Sequence, residues 1–397
     1  MKKYAILGYG TVGGGVARVM EECAAAAAAA AGDEVSLGYI LVRRDYPGDP
    51  YESRMTRDIL AIADDPEVAV VAETMGGTGA AYEYTRLLLE HGKSVVSSNK
   101  ELVAKHGAEL SALARERGVS YLFEASVCGG IPLLLPLARS LSANRIDEVF
   151  GIFNGTTNYI LTAMASEGRS FSDALCEAQR LGYAEADPTA DVEGLDALRK
   201  TCILADLAFG QNLDPDSLSA EGITRLTTED LALAKLLGYR VKLLGRAIRT
   251  ADGIHAFVAP HLVPETHRLA GVDDVMNACC IRGSAVGETV LSGPGAGRFP
   301  TASSVCGDLL EALRTPGGAT MNLGAPGGTA LDPAELPSRW FVRAGAAPDM
   351  LLAVFGSVSP TYAAPGQCGF ITQSMTRREL EPKLAAIQAG MACRVLE

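Results

Sequence analysis

Aromatic residues are scarce, 6% of 397 with a single tryptophan. So few ring platforms suit stacking on single-stranded nucleic acid poorly. Basic residues are also outnumbered, 35 against 47 acidic, for a formal net charge of -12. No Lys/Arg cluster is dense enough to make the basic face that a duplex binder needs. Long apolar runs are missing. None reaches the roughly eighteen residues of a membrane span, and the alanine run after Cys23 is too weakly apolar to anchor in lipid. Histidine occurs five times and H-E-x-x-H not at all, which argues against metalloprotease chemistry. The nine cysteines are odd in number and form no C-x-x-C pair, so reduced, mostly buried thiols are expected rather than a disulfide framework or a zinc site. Gly8, Gly10 and Gly13–Gly15 interrupt the apolar segment that a signal peptide would need, and the expected compartment is the cytoplasm.

What is present is 48% hydrophobic residues and 43 glycines, a composition suited to layered α/β packing with close helix–strand approach. The length points to two or three domains. Residues 4–7 form a short apolar run that leads into Gly8-Tyr9-Gly10-Thr11-Val12-Gly13, followed by a long helix former reaching Ala31. Strand, glycine turn and helix in that order are the setting of a dinucleotide fingerprint. Gly8 permits the tight turn, Gly10 lets the backbone approach a pyrophosphate, and Gly13 lets the helix lie close to the strand. The helix N-terminus then offers free N–H groups to phosphate, and Thr11 and Val12 join the glycines as cofactor-binding candidates. The next strand, 36–42, runs into Arg43 and Arg44, which favour a 2′-phosphate and hence NADP; Asp45 directly after keeps NAD open.

Strands over 68–73, 94–97 and 119–123 alternate with helices, which is the doubly wound pattern. Gly76, Lys100 and Glu124 follow the carboxyl ends of these strands, where such folds hold their ligands. From Ala125 the texture changes to an α+β mixture: a strand near 147–153, the polar cluster Asn154-Gly155-Thr156-Thr157-Asn158, a helix over 172–182, and strands near 239–249 and 253–262. A glycine loop, Gly293–Gly297, precedes a helix read from Thr301 to Leu313 with a hydroxyl cap. Residues 315–334 read as a linker, and the tail as strand, helix, irregular stretch, strand, helix and strand.

The chemistry concentrates in 185–200. Asp196 and Lys200 share a helix face, and their apolar neighbours indicate a buried helix. Glu185, Asp187 and Asp191 lie on the loop before it. A lysine set among carboxylates can donate a proton to a carbonyl oxygen, and the other carboxylates can hold an ammonium. The residues therefore point to NAD(P)-dependent reduction of a carbonyl on a small, amine-bearing substrate.

Six blocks resemble the homoserine dehydrogenase family: GYGTVG at 8–13, SSNKELVAKHG at 97–107, EASVCGGIP at 124–132, NGTTNYIL at 154–161, GYAEADPTADVEGLDALRK at 182–200 and GPGAGRFPTASSV at 293–305. The resemblance implies reversible reduction of aspartate 4-semialdehyde to homoserine in threonine, methionine and isoleucine biosynthesis. It implies that Lys200 is the catalytic proton donor, assisted by Asp196, and that Lys100 is a second lysine near nicotinamide and substrate. Glu185, Asp191 and Asp196 match substrate-binding carboxylates. Ser98 and Gly295 match positions beside the cofactor. Glu124, Val127, Gly129 and Ile131 match a sodium site, a hard cation with oxygen ligands. The implied architecture is α/β: a Rossmann domain (1–130, with the 301–313 helix packed back onto it), an α+β catalytic and dimerisation domain (131–300), a linker (314–337) and a degenerate ACT-like tail (338–397), in a homodimer or dimer of dimers. Two departures stand out. Serine occupies both 97 and 98, and the tail is short, with Ala346-Ala347-Pro348-Asp349 in its first strand–helix turn, which puts feedback inhibition by threonine in doubt. The competing readings are another amino-acid dehydrogenase of the same plan and an inactive NAD(P)-sensing protein.

Overall fold

The computed structural model describes residues 2–315, 317–364 and 367–397. Contacts divide the chain into two compact units: residues 1–145, 202–215 and 293–328, and residues 146–201, 216–292 and 329–397.

The first unit is built on a six-stranded parallel sheet. From edge to edge it runs Met55–Thr56, Val35–Leu41, Lys2–Leu7, Val68–Glu73, Ser94–Ser97 and Tyr121–Leu122. In chain order that is 3-2-1-4-5-6, the doubly wound arrangement whose ligand crevice lies at the carboxyl ends of the first and fourth strands. The central strands are continuous apolar runs because both faces are covered. The expected long first helix is two, Thr11–Glu22 and the all-alanine Ala24–Ala31, separated at Cys23, where ψ is 17°. The late helix starts at Arg298 rather than Thr301. Gly297 caps it at φ 114° without a side-chain bond, and the Thr301 N–H bonds to the Gly297 carbonyl inside the first turn. A Cβ on Gly15 would lie 2.8 Å from the Arg298 carbonyl and 3.0 Å from the Ala302 methyl, so this glycine sets how closely the first and late helices pack.

The 315–334 stretch is not a free linker among its described residues. Ala319 exchanges bonds with Ser120 and Tyr121, and Ala325–Gly328 pairs with Gln211–Leu213. Its glycines permit this: a Cβ on Gly318 or Gly324 would lie within 2.4 Å of neighbouring backbone.

The second unit carries a ten-stranded mixed sheet. Its centre is the antiparallel pair Tyr239–Arg249 and Ile254–Pro264, flanked by Ile146–Ile152, Met276–Gly283 and Gly287–Pro294. The tail has the order strand Trp340–Ala344, helix Pro348–Phe355, strands Thr361–Ala364 and Gln367–Ile371, helix Arg377–Ala386, strand Met391–Val395. The expected irregular stretch thus holds a strand. Arranged 4-1-3-2, these elements form a split βαβ module. Its last strand pairs with Ile254–Pro264, His261 opposite Arg394, so the tail sheet continues the central one. No helix among the described residues is long and apolar enough to cross a membrane.

Candidate active site

In the first unit, Gly8 turns the chain at φ 92° off the strand Lys2–Leu7. A Cβ on Gly13 would sit 2.0 Å from the Gly8 carbonyl, so only glycine lets the helix approach this closely. Thr74 locks the turn from the next strand, its hydroxyl donating to the carbonyls of Leu7 and Gly8 at 2.9 Å. The helix Thr11–Glu22 begins at Gly10 with no side-chain cap. Its first N–H groups lack the usual partner and suit an anionic group. A cavity of about 660 Å³ opens here, lined by Gly8, Gly10, Arg43, Arg44, Arg57 and Gly76 among others. Thr11, Val12 and Gly13 form the helix start beside it.

Arg57 escaped the sequence reading. Pairing of Leu41 with Thr56 sets it beside the end of the second strand, a register that no periodicity announces. Its guanidinium bonds Asp45 at 2.7 Å, so the acidic residue that kept NAD open faces a cation. Arg44 lies 5.1 Å over the Tyr46 ring. Three arginines around one cavity, with an uncapped helix start at its base, fit a phosphorylated dinucleotide.

Behind the cavity, Glu73 ends its strand fully buried. Its carboxylate accepts from the Met75 N–H at 2.7 Å and the Ser97 hydroxyl at 2.5 Å. Burial pushes it up to about 7. It joins the 74–77 loop to the 97–100 turn, where Ser98 and Lys100 stand. Asn99 adds a second tie, donating to the Gly77 carbonyl and capping the helix Lys100–Arg117. Ser98 and Lys100 do not line the cavity, and neither does Gly295. The Gly293–Gly297 loop packs instead on the 129–130 turn, where a Cβ on Gly129 would meet the Gly295 carbonyl at 2.4 Å.

That turn holds the expected cation ligands. Cys128 and Gly129 are both at positive φ, a costly conformation for cysteine. The buried carbonyls of Val127 and Ile131 accept no hydrogen bond from the described residues. The Gly129 carbonyl accepts from the Ser304 hydroxyl at 2.7 Å. The Glu124 carboxylate takes the N–H groups of Leu133, Leu134 and Leu135, three of its roughly four lone-pair sites. An all-oxygen set with two unsatisfied carbonyls and one carboxylate fits a hard monovalent ion.

The second unit assembles the lysine and carboxylates. Gly151 and Gly245, paired across adjacent strands, leave a gap that the Phe153 ring fills; a Cβ on either would lie 2.7 Å from that ring. A Cβ on Gly245 would also lie 2.0 Å from the Thr201 hydroxyl, so the helix Leu195–Phe209 presses directly on the sheet there. Asp196 and Lys200 occupy one buried face of that helix, 5% and 9% exposed. The Lys200 ammonium donates to Asp196 Oδ2 and to the Phe153 carbonyl, each at 2.7 Å. Its third hydrogen has no partner among the described residues. Asn154 completes the group, its amide nitrogen donating to Asp191 at 2.7 Å and Asp196 at 2.9 Å. Glu185 is not drawn in. It lies exposed on the preceding loop with its backbone carbonyl held by Gln179.

One cluster elsewhere has metal-ligand chemistry: His267, Cys280 and Glu288, with ligand atoms within 4.8 Å of one another. His267 Nδ1 accepts the Leu269 N–H at 3.1 Å, so Nε2 carries the ring hydrogen and points toward Glu288 at 3.5 Å. A protonated nitrogen has no lone pair for a metal.

The profile of the homoserine dehydrogenase family matches residues 132–310, and that of the homoserine dehydrogenase NAD binding domain matches residues 8–124. Homoserine dehydrogenase from Pseudomonas aeruginosa is 49% identical over 313 residues, 79% of this chain and 72% of that one. Its counterpart from Bacillus subtilis is 42% identical over 334 residues, 83% and 76%. A crystal structure of a homoserine dehydrogenase from Thiobacillus denitrificans superposes over 100% of this chain and 98% of its own, with TM-score 0.90 and 37% identity. A hyperthermophilic archaeal homoserine dehydrogenase in complex with NADPH covers 79% of this chain and 98% of its own, with TM-score 0.67 and 27% identity.

Proposed function

The chain belongs to the homoserine dehydrogenase family, and from that premise we propose that it interconverts L-aspartate 4-semialdehyde and L-homoserine with NADP(H) as the preferred cofactor, a step toward threonine, methionine and isoleucine. The observation that carries this reading is the Lys200 ammonium, buried, anchored by a carbonyl and a carboxylate, with one hydrogen left over. When bound, the nicotinamide supplies the hydride that adds to the aldehyde carbon. Lys200 directs its remaining N–H at the aldehyde oxygen and gives up a proton as the alkoxide forms. The anchors at Phe153 and Asp196 fix the direction of that hydrogen, so little reorganisation is needed as charge develops.

Asp191 and Asp196 bind the substrate's ammonium, and Glu185 on the loop before them is a further substrate contact. Arg43, Arg44 and Arg57, which line the cavity, would hold a 2′-phosphate, and Gly8, Gly10 and the first turn from Thr11 would hold the pyrophosphate. Glu124 and the carbonyls of Val127, Gly129 and Ile131 would hold a sodium ion, which would stiffen the 124–131 turn without taking part in the chemistry. The working form is a cytoplasmic homodimer or dimer of dimers.

The test is spectrophotometric: purified protein with aspartate semialdehyde should oxidise NADPH faster than NADH at equal concentration. No turnover with either cofactor would sink the assignment, and a preference for NADH would sink the role of the arginines.

A further inference from the structure

The geometry points to Asn154 as the positioning residue that sets the spacing of the two substrate-facing carboxylates, and so decides how well the site grips an ammonium. The inference rests on the reading above and deepens it.

Asn154 sits where the strand Ile146–Ile152 gives way to the helix Gly155–Glu167, and it is 5% exposed. Its side chain is used on both ends. Oδ1 caps the helix, accepting from the Thr157 N–H at 2.9 Å and the Thr157 hydroxyl at 3.1 Å. Those two donors identify the oxygen and leave the amide nitrogen facing the other way. The nitrogen has two hydrogens and meets two carboxylates, Asp191 on the short helix Thr189–Val192 and Asp196 on the helix Leu195–Phe209. One planar group thus ties three separate elements to a common point.

The choice of amide has a chemical reason. Two carboxylates brought together in a buried site repel one another. A neutral NH₂ gives each a hydrogen bond without adding a charge of its own. A lysine or arginine in its place would bind the carboxylates too, and would neutralise the charge that attracts the substrate. The Phe153 carbonyl, one residue earlier, holds Lys200. Two consecutive residues therefore fix the proton donor and the amine receptor relative to each other.

Asn154→Asp separates this role from the helix cap. Aspartate caps a helix as well as asparagine does, but it puts an oxygen where the N–H groups were, 2.7 and 2.9 Å from two carboxylate oxygens. Asn154→Ser is the second variant: it also caps, is uncharged, and is too short to reach either carboxylate. With wild-type protein active on the semialdehyde, both variants should fold, Asn154→Asp with a lowered Tm because of the added carboxylate, and both should keep the wild-type KM for cofactor. Both should raise the KM for the amine-bearing aldehyde roughly ten- to hundredfold, the worth of charge-assisted hydrogen bonds, and by a larger factor than kcat falls. A substrate KM within twofold of wild type in either folded variant would overturn the inference while leaving the assigned reaction intact. Loss of fold in both would overturn it in favour of a purely structural role, and an inert wild type would sink the inference together with the reading it rests on.

Discussion

The proposed chemistry turns on Lys200, and its surroundings explain why a lysine can be buried there at all. A buried ammonium is tolerated when its hydrogens are satisfied, and here two acceptors stand at 2.7 Å. Lys200→Met should keep most of the side-chain volume and cut kcat by roughly 10²–10⁴ for loss of a general acid, with cofactor Kd from fluorescence titration unchanged. A kcat within threefold of wild type would remove Lys200 from the mechanism. Glu73 poses the opposite problem, a buried carboxyl with hydrogen-bond donors but no cation. Its pKa is raised, so the folded state holds its proton more tightly than the unfolded chain does. Its favourable contribution is present below the unfolded value near 4.5 and is lost as pH rises toward about 7. Glu73→Gln should remove about 3 kcal/mol of that pH dependence, visible as a flatter curve of unfolding free energy between pH 5 and 8; parallel curves would refute it. Arg57→Ala should raise the KM for NADPH at least tenfold and leave that for NADH within twofold, since only the 2′-phosphate distinguishes the two. Equal effects would assign Arg57 to holding Asp45 alone.

At the scale of elements, the helix Leu195–Phe209 is useful only because it lies flush on the sheet. Gly245 makes that possible. Gly245→Ala would push a methyl into the Thr201 hydroxyl and the Phe153 ring, lifting the helix and the carbonyl that anchors Lys200. Overpacking of this kind costs about 1–3 kcal/mol, and a displacement of about 1 Å at a reacting group costs around a hundredfold in rate. A modest fall in Tm with a large fall in kcat/KM is expected; unchanged kcat/KM would show that the helix position is not set by this contact. The helix Leu195–Phe209 was legible beforehand, because Asp196 and Lys200 fall four apart among apolar neighbours. The break at Cys23 was not, since an alanine run continues a helix by every propensity rule. Thr301 misled for a related reason. A hydroxyl residue reads as a cap, whereas the helix start here is Gly297, whose positive φ is invisible until the loop before it is placed.

At the scale of the molecule, the tail is part of the second unit's sheet. Arg343, on the first tail strand, donates to Asp230 at 2.6 Å. Asp230 is fully buried in the first turn of the helix Thr228–Leu236 and also serves its capping box with Thr227. Arg343→Ala would leave a buried carboxylate short of its cation, at a cost of about 3 kcal/mol. A clear drop in the denaturation midpoint is expected, and an unchanged midpoint would mean that the tail is only loosely attached. The sequence outlined this module but took one of its strands for irregular chain, and it took the 315–334 stretch for a linker. The strand Thr361–Ala364 pairs with its neighbour Gln367–Ile371 but is only four residues long, too short to show a period. The 315–334 stretch finds its partners at 120–121 and 211–213, far back in the chain, and its short glycine-rich segments carry no period of their own.

The sequence by itself determined the order of strands and helices in the first unit, the glycine turn, the lysine–carboxylate face and the family. Each is written in local spacing: a glycine pattern, a period of two or of 3.6, a block of charged residues. Only the tertiary structure decided that Arg57 reaches the cavity, that Glu73 braces two loops, that Asn154 joins Asp191 to Asp196, and that Glu185 stays outside their bonded group. The contacts involved join residues 12 to 42 positions apart. Strand register and backbone direction set them, and neither leaves a mark in the residues themselves.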